Sequence, residues 1–279
     1  MSPKSNTEIP GAERASESLS ASAQELDKKE AFFEYLVRMA DDRLILGHRL
    51  SEWCGHGPIL EEDIALANVA LDDIGHAASL YEYAAEIEGE GRHRDDIVYF
   101  RDDVEYKNIK MVELPKGDFG FTIARQFLFS AFSYFLYERL KESNDEQFRG
   151  MVEKHLKEIK YHLRHSREWV LRLGDGTDES HERIQESFDD LWTYTGELFY
   201  MDEIDELMID EGIGTDTSGF KDDWKGLVVD VLEEATLEVP DFDQFMQEGG
   251  RKGFHTEHLG HLLAEMQHLR RSYPDATWE

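Results

Sequence analysis

Apolar residues recur at helical spacing over most of this chain, and no segment alternates with the period of a strand. From about Asp27, the residues Ala31, Tyr35, Met39, Ile45, Leu46 and Trp53 fall on one stripe, which Gly55-His56-Gly57-Pro58 ends. A second helix is predicted from about Leu60 to Glu88, with Leu66, Val69, Ala70, Ala77, Leu80 and Ala84 inside and Gly89-Glu90-Gly91 as its stop. Residues 92–117 read as a short helix and a loop around Pro115-Lys116-Gly117. Long helices follow over about 119–142 and 146–173, the latter stopped by Gly174-Asp175-Gly176. Thr177 opens another helix, expected to run to about Tyr200. Shorter helices are expected near 201–211 and 220–236, and a last one over 256–271, after the breaks at Pro240 and Gly249-Gly250.

Four long helices in two consecutive pairs, with the longer link between the second and third, predict an all-α, ferritin-like four-helix bundle. The additional C-terminal helices would pack around it. Residues 1–25 are Ser-, Ala- and Glu-rich without periodicity and are expected to be a disordered tail, leaving 26–279 as a single helical domain.

Composition narrows the setting. With 40% apolar residues, 16 Phe, 11 Tyr and 5 Trp, the chain can fill a large core. Its 61 acids against 30 Lys and Arg give a net charge of −31, which repels nucleic acid and anionic membranes, so neither is expected as a partner. Only thirteen of the cations are lysine, and the acid excess reads as the hydrated surface of a halophile's protein. The one cysteine, Cys54, fits a reducing compartment. No apolar run reaches the ~20 residues of a membrane span, and no apolar signal core opens the sequence, so a cytoplasmic location is expected.

The candidate chemistry lies on the inner faces of the four helices. A di-metal bundle takes one carboxylate from each of two helices and a Glu-x-x-His pair from each of the others. On the second helix, Asp73-Ile74-Gly75-His76 has the pair spacing and sits amid Leu66, Val69, Ala70, Ala77 and Leu80. Asp42 shares the stripe of the first helix, with a salt bridge to Arg38 as its plainer reading. Asp72 falls toward the polar edge. On the fourth helix, His155, Glu158, His162 and His165 line a stripe, with Glu158 one residue out of register for a pair with His162. The third helix offers Arg125 where a carboxylate is needed. No bound metal is therefore expected, and Asp42, Asp73, His76, Glu158 and His162 are the candidates for a degenerate site. Arg125 is expected to supply positive charge by pairing with one or more of Asp42, Asp73 and Glu158. Elsewhere, His255, His258 and His261 form a possible metal cluster, with Thr256-Glu257 reading as helix capping. Arg251-Lys252 is a rare basic spot, read as solvated unless it holds a phosphate or an acidic partner. There is no phosphate-binding glycine loop and no nucleophile elbow.

Several segments resemble one family. Leu46-Gly47-His48-Arg49-Leu50-Ser51-Glu52-Trp53-Cys54-Gly55-His56, Tyr161-His162-Leu163-Arg164, Arg172-Leu173-Gly174-Asp175-Gly176-Thr177-Asp178 and the stretch from Gly249 to Gly260 are similar to the C subunits of phenylacetyl-CoA epoxidase. The resemblance covers about residues 30–272. It implies a ferritin-like subunit of a multicomponent monooxygenase that forms the ring-1,2-epoxide of phenylacetyl-CoA. It implies a catalytic A subunit that carries the di-iron centre, a small B subunit and a reductase as partners, with no catalytic residue and no cofactor in this chain. The alternative is an independent ferritin-like di-iron oxidase or hydroxylase.

Overall fold

The computed structural model describes residues 27–276. Residues 1–25, expected to be a tail, lie outside the described residues. Among those described there are ten α-helices and no strand. The four long ones are α1 (Lys28–Ser51), α2 (Leu60–Glu88), α5 (Phe119–Leu140) and α6 (Glu146–Gly174). Each starts or stops for a local reason. The Asp27, Asp118 and Asp145 side chains accept from first-turn amides of α1, α5 and α6, which have no acceptor within the helix. Gly89, at φ 69°, ends α2 in a left-handed cap that a side chain would strain.

The helices form a closed square in the order α1, α2, α6, α5. Arg43 meets Asp73 and Asp41 meets Tyr81, so α1 and α2 run in opposite directions. They pack tightly at Gly47, where a Cβ would lie 2.9 Å from Ile74 Cγ1. Across α2 and α6, Tyr83 meets Asp145, His76 meets Glu158 and Glu62 meets His165, again antiparallel. Phe119 packs on Trp169 and Tyr137 on His155, which sets α6 against α5. Helices α2 and α5 then run the same way, so the chain must cross the length of the bundle between them. This is the ferritin-like connection.

That crossover contains α3 (Arg94–Tyr99), a single 3-10 turn and α4 (Lys110–Glu113), more structure than the one short helix expected there. Outside the square, α7 (Asp178–Trp192) lies on α5, α8 (Glu203–Asp210) on α1, α9 (Lys221–Glu234) on α5 and α6, and α10 (Glu257–Ser272) on α3. Helix α7 stops at Trp192 rather than near Tyr200. The Thr195 hydroxyl donates to the Trp192 carbonyl at 2.8 Å, and the chain continues as a 3-10 turn with Gly196 tucked under Met246.

Candidate functional site

Two polar systems run through this apolar bundle. The first is at its centre. Asp73 is fully buried and accepts from Arg43 Nη1 at 2.8 Å. Arg43, also buried, lies 4.8 Å over the Phe129 ring and 5.4 Å over Tyr137, both from α5. The aromatic faces add attraction for a cation that has left water. Beside it the His76 and His155 rings stack at 3.8 Å. Burial, and then the Arg43 charge, hold His76 well below the ordinary imidazole range and push His155 down to about 3. Both rings are therefore neutral at physiological pH.

From this stack a ladder of pairs follows the α2–α6 seam outward. His76 Nε2 meets Glu158 Oε2 at 2.5 Å, His162 Nε2 meets Asp72 Oδ2 at 3.0 Å, and His165 Nε2 meets Glu62 Oε2 at 2.8 Å. The Nδ1 atoms of His76, His155, His162 and His165 are buried without a protein partner. With a carboxylate at Nε2, the ring proton of a neutral imidazole belongs on Nε2. Burial, and then the negative charge of Asp72, raise Glu158 above the usual carboxylate range. Asp72, which the sequence places at the polar edge, is thus the partner of a fully buried histidine.

The second system binds the crossover to α1. Asp41 accepts from the Lys107 amide at 2.8 Å, Asp42 from Ile109 at 2.9 Å, and Glu197 from Lys110 at 2.7 Å. Glu197 also takes the Gly250 amide at 2.7 Å. Glu113 holds the next turn of that C-terminal loop through His255 Nδ1 at 2.7 Å and the Thr256 amide. Arg251 closes the system by donating to Asp42 at 2.7 Å and to the Lys107 carbonyl at 2.7 Å. Burial works against a charge on His255, but its bond to Glu113 outweighs this and raises its proton affinity.

Several expected contacts are replaced. Arg125 is buried but pairs with none of Asp42, Asp73 and Glu158; it donates to the carbonyls of Leu114 at 2.6 Å and Pro115 at 3.3 Å. It lies toward the start of α5, whereas Phe129 and Tyr137, further along the helix, face the centre. Arg38 pairs with Glu34, Asp202 and Asp205 instead of Asp42. Arg251 is spent on Asp42 rather than on solvent, while Lys252 lies over the Tyr200 ring. Thr256 stands at the N-cap of α10, but its hydroxyl caps nothing. His255 binds Glu113 and the Tyr106 carbonyl, which ties the residue ahead of α10 to the crossover. Arg43 is absent from the expected site residues; its spacing of four from Met39 and three from Leu46, on the apolar stripe of the helix, is the signal that could have found it.

The fold family implies a metal centre between the four long helices, and the residues at this centre do not fit one. A permanently charged guanidinium holds Asp73 Oδ1, and although Oδ2 and the nearby imidazole Nδ1 atoms have no protein partner, a second cation there would sit against the fixed positive charge of Arg43. Helix α5 turns Phe129 and Tyr137 to the centre, while its one acid, Glu138, pairs with Lys141 and Lys160 instead. Glu158 and Asp72 bind histidines at the edge of the seam rather than converging on one point.

An antiparallel helical square with a long crossover, filled at its centre by a charge pair and stacked imidazoles, defines a ferritin-like bundle protein. The family model described as "Phenylacetic acid catabolic protein" matches residues 17–278. One curated relative, the C subunit of the 1,2-phenylacetyl-CoA epoxidase of Escherichia coli (strain K12), is 46% identical over 244 residues, covering 88% of this chain and 98% of that protein. The chain belongs to the phenylacetic acid catabolic protein family.

Proposed function

We propose that this chain is a C-type subunit of a phenylacetyl-CoA epoxidase complex, and that within it the chain is structural and not catalytic. The similarity to the Escherichia coli protein along nearly its whole length supports membership of such a complex. The observation that carries the structural role is the Arg43–Asp73 pair, which puts a fixed positive charge where a metal-dependent bundle needs open ligands. The di-iron chemistry then belongs to a catalytic A subunit, with a small B subunit and a reductase completing the assembly. Here the chain contributes a rigid helical body that keeps its partner folded and in place. Among the described residues no helix is long and apolar enough to cross a membrane.

Two measurements on purified protein test this. Expressed with the catalytic partner, the chain should co-purify with it in molar-range salt. Metal analysis of the chain alone should give no stoichiometric iron. About two irons per chain, lost on Asp73→Ala, would overturn the reading in favour of an independent di-iron oxidase.

A further inference from the structure

The α2–α6 side of the bundle carries two ridges that the internal networks leave unused. On α2, Leu60, Ile64 and Leu71 share one face and are 71%, 53% and 66% exposed. On α6, Lys154, Lys157, Tyr161 and Arg164 share the outward face and are all exposed. The two ridges meet where Leu71 and Tyr161 each precede one member of the Asp72–His162 pair; because the helices are antiparallel, Ile64 and Leu60 continue toward one end of the bundle and Lys157 and Lys154 toward the other. The α6 ridge is unusual for this chain. Helix α6 holds seven Lys and Arg against four Glu, whereas the whole chain has twice as many acids as cations. Helix α2 has no Lys or Arg at all, yet its acids facing α6 are taken by histidines. Among the described residues, Lys154, Lys157 and Arg164 enter no ion pair; Arg164 lies over the Tyr161 ring.

We propose that this face is the docking surface for another member of the complex, one that presents a helix with an apolar stripe that leads into a run of carboxylates. The proposal rests on the reading of the chain as part of such a complex. The partner's apolar stripe would cover Leu60, Ile64 and Leu71, and its acids would meet Lys154, Lys157 and Arg164. Apolar area beside a complementary charge rim is the usual anatomy of a specific interface. A second copy of this chain fits less well, because two bodies of charge −31 repel each other.

Capture of the co-expressed catalytic and small subunits by full-length tagged chain tests the surface. The double variant Ile64→Glu/Leu71→Glu and the triple variant Lys154→Glu/Lys157→Glu/Arg164→Glu should each weaken capture at least tenfold. The triple variant's loss should shrink as salt is raised, because the rim charges are then screened. Leu269→Glu, at an exposed apolar position on α10, should leave capture unchanged and so control for a general effect of new acids. Circular dichroism of each variant separates lost binding from lost folding. Wild-type capture retained by both variants, or lost equally in Leu269→Glu, overturns the surface alone. A wild-type homodimer that Ile64→Glu/Leu71→Glu dissolves overturns it in favour of a second copy. Wild-type chain that captures neither partner overturns the reading as a complex member, and this surface with it.

Discussion

Arg43 and Asp73 face each other across the first helix pair, 2.8 Å apart, with 2% and 0% of their side chains exposed. Two charges this deep are tolerated only together. Removing one leaves the other without water or partner, at a cost of about 3–5 kcal/mol. Arg43→Ala should therefore unfold at much lower urea than the parent, and Asp73→Ala should do the same. The double variant Arg43→Leu/Asp73→Leu should recover most of the loss, because it removes both charges and keeps apolar volume. Equilibrium urea unfolding of the three variants checks this. Additive losses in a double variant would show that the pair does not act as a unit.

The imidazole stack makes stability depend on acid. An unfolded histidine takes up its proton near the ordinary value of 6.5, whereas folded His155 does so only near about 3 and folded His76 lower than usual. Below pH 6.5 the unfolded chain binds protons that the folded chain refuses. Stability then falls with pH, by up to about 1.4 kcal/mol per pH unit for each ring. Relief of the −31 net charge by acid acts in the opposite sense, so the comparison must be made against a variant. His76→Gln/His155→Gln should show a shallower decline between pH 6.5 and 5 than the parent in urea titrations at each pH. Parallel profiles would mean that the rings are charged in the fold.

The carboxylate clamp on the crossover predicts a local effect. Glu197 accepts two amides, from Lys110 and Gly250, both at 2.7 Å. In Glu197→Gln one arm of the side chain becomes a donor, and one of the two amides loses its acceptor. The expected loss is about 1–3 kcal/mol. Hydrogen exchange should quicken at residues 107–110 or 249–250 well before it does in α2 or α6. Uniform protection across all three regions would show that the clamp is dispensable.

Much of this fold can be read from the chain because its signals are local. The α2 stripe from Leu66 to Ala84 and the Gly89 stop both depend on residues within a few turns of each other. The pairing of buried charges is different. Asp42 could reach Arg38 by helix spacing, but in the fold it meets Arg251, more than two hundred residues later. Nothing along the sequence says that the Gly249–Thr256 segment returns to α1. The crossover is equally opaque, because its order comes from Asp41, Asp42 and Glu197 capturing its amides from outside. Helix α7 ends earlier than its pattern predicts because Thr195 favours a local carbonyl bond over another helical turn.

Arg125 allows a sharp test of what a buried cation does in this bundle. It is fully buried, its Nε and Nη2 have no protein partner, and it bonds only the carbonyls of Leu114 and Pro115. Burial, and then the charge of Arg49, push its pKa down to about 9, as expected of a guanidinium with no carboxylate beside it. Losing charged hydrogen bonds of this kind costs about 1.5–3 kcal/mol, and removing an unpaired buried charge returns a similar amount. Arg125→Met keeps most of the volume, so its stability should lie within about 1 kcal/mol of the parent. Arg125→Ala also opens a cavity and should cost roughly 3 kcal/mol or more. Thermal and urea unfolding of the two variants decide the matter. If Arg125 instead neutralised Asp42 or Asp73, the Met variant would strand a buried carboxylate and would be destabilised as much as Arg43→Ala.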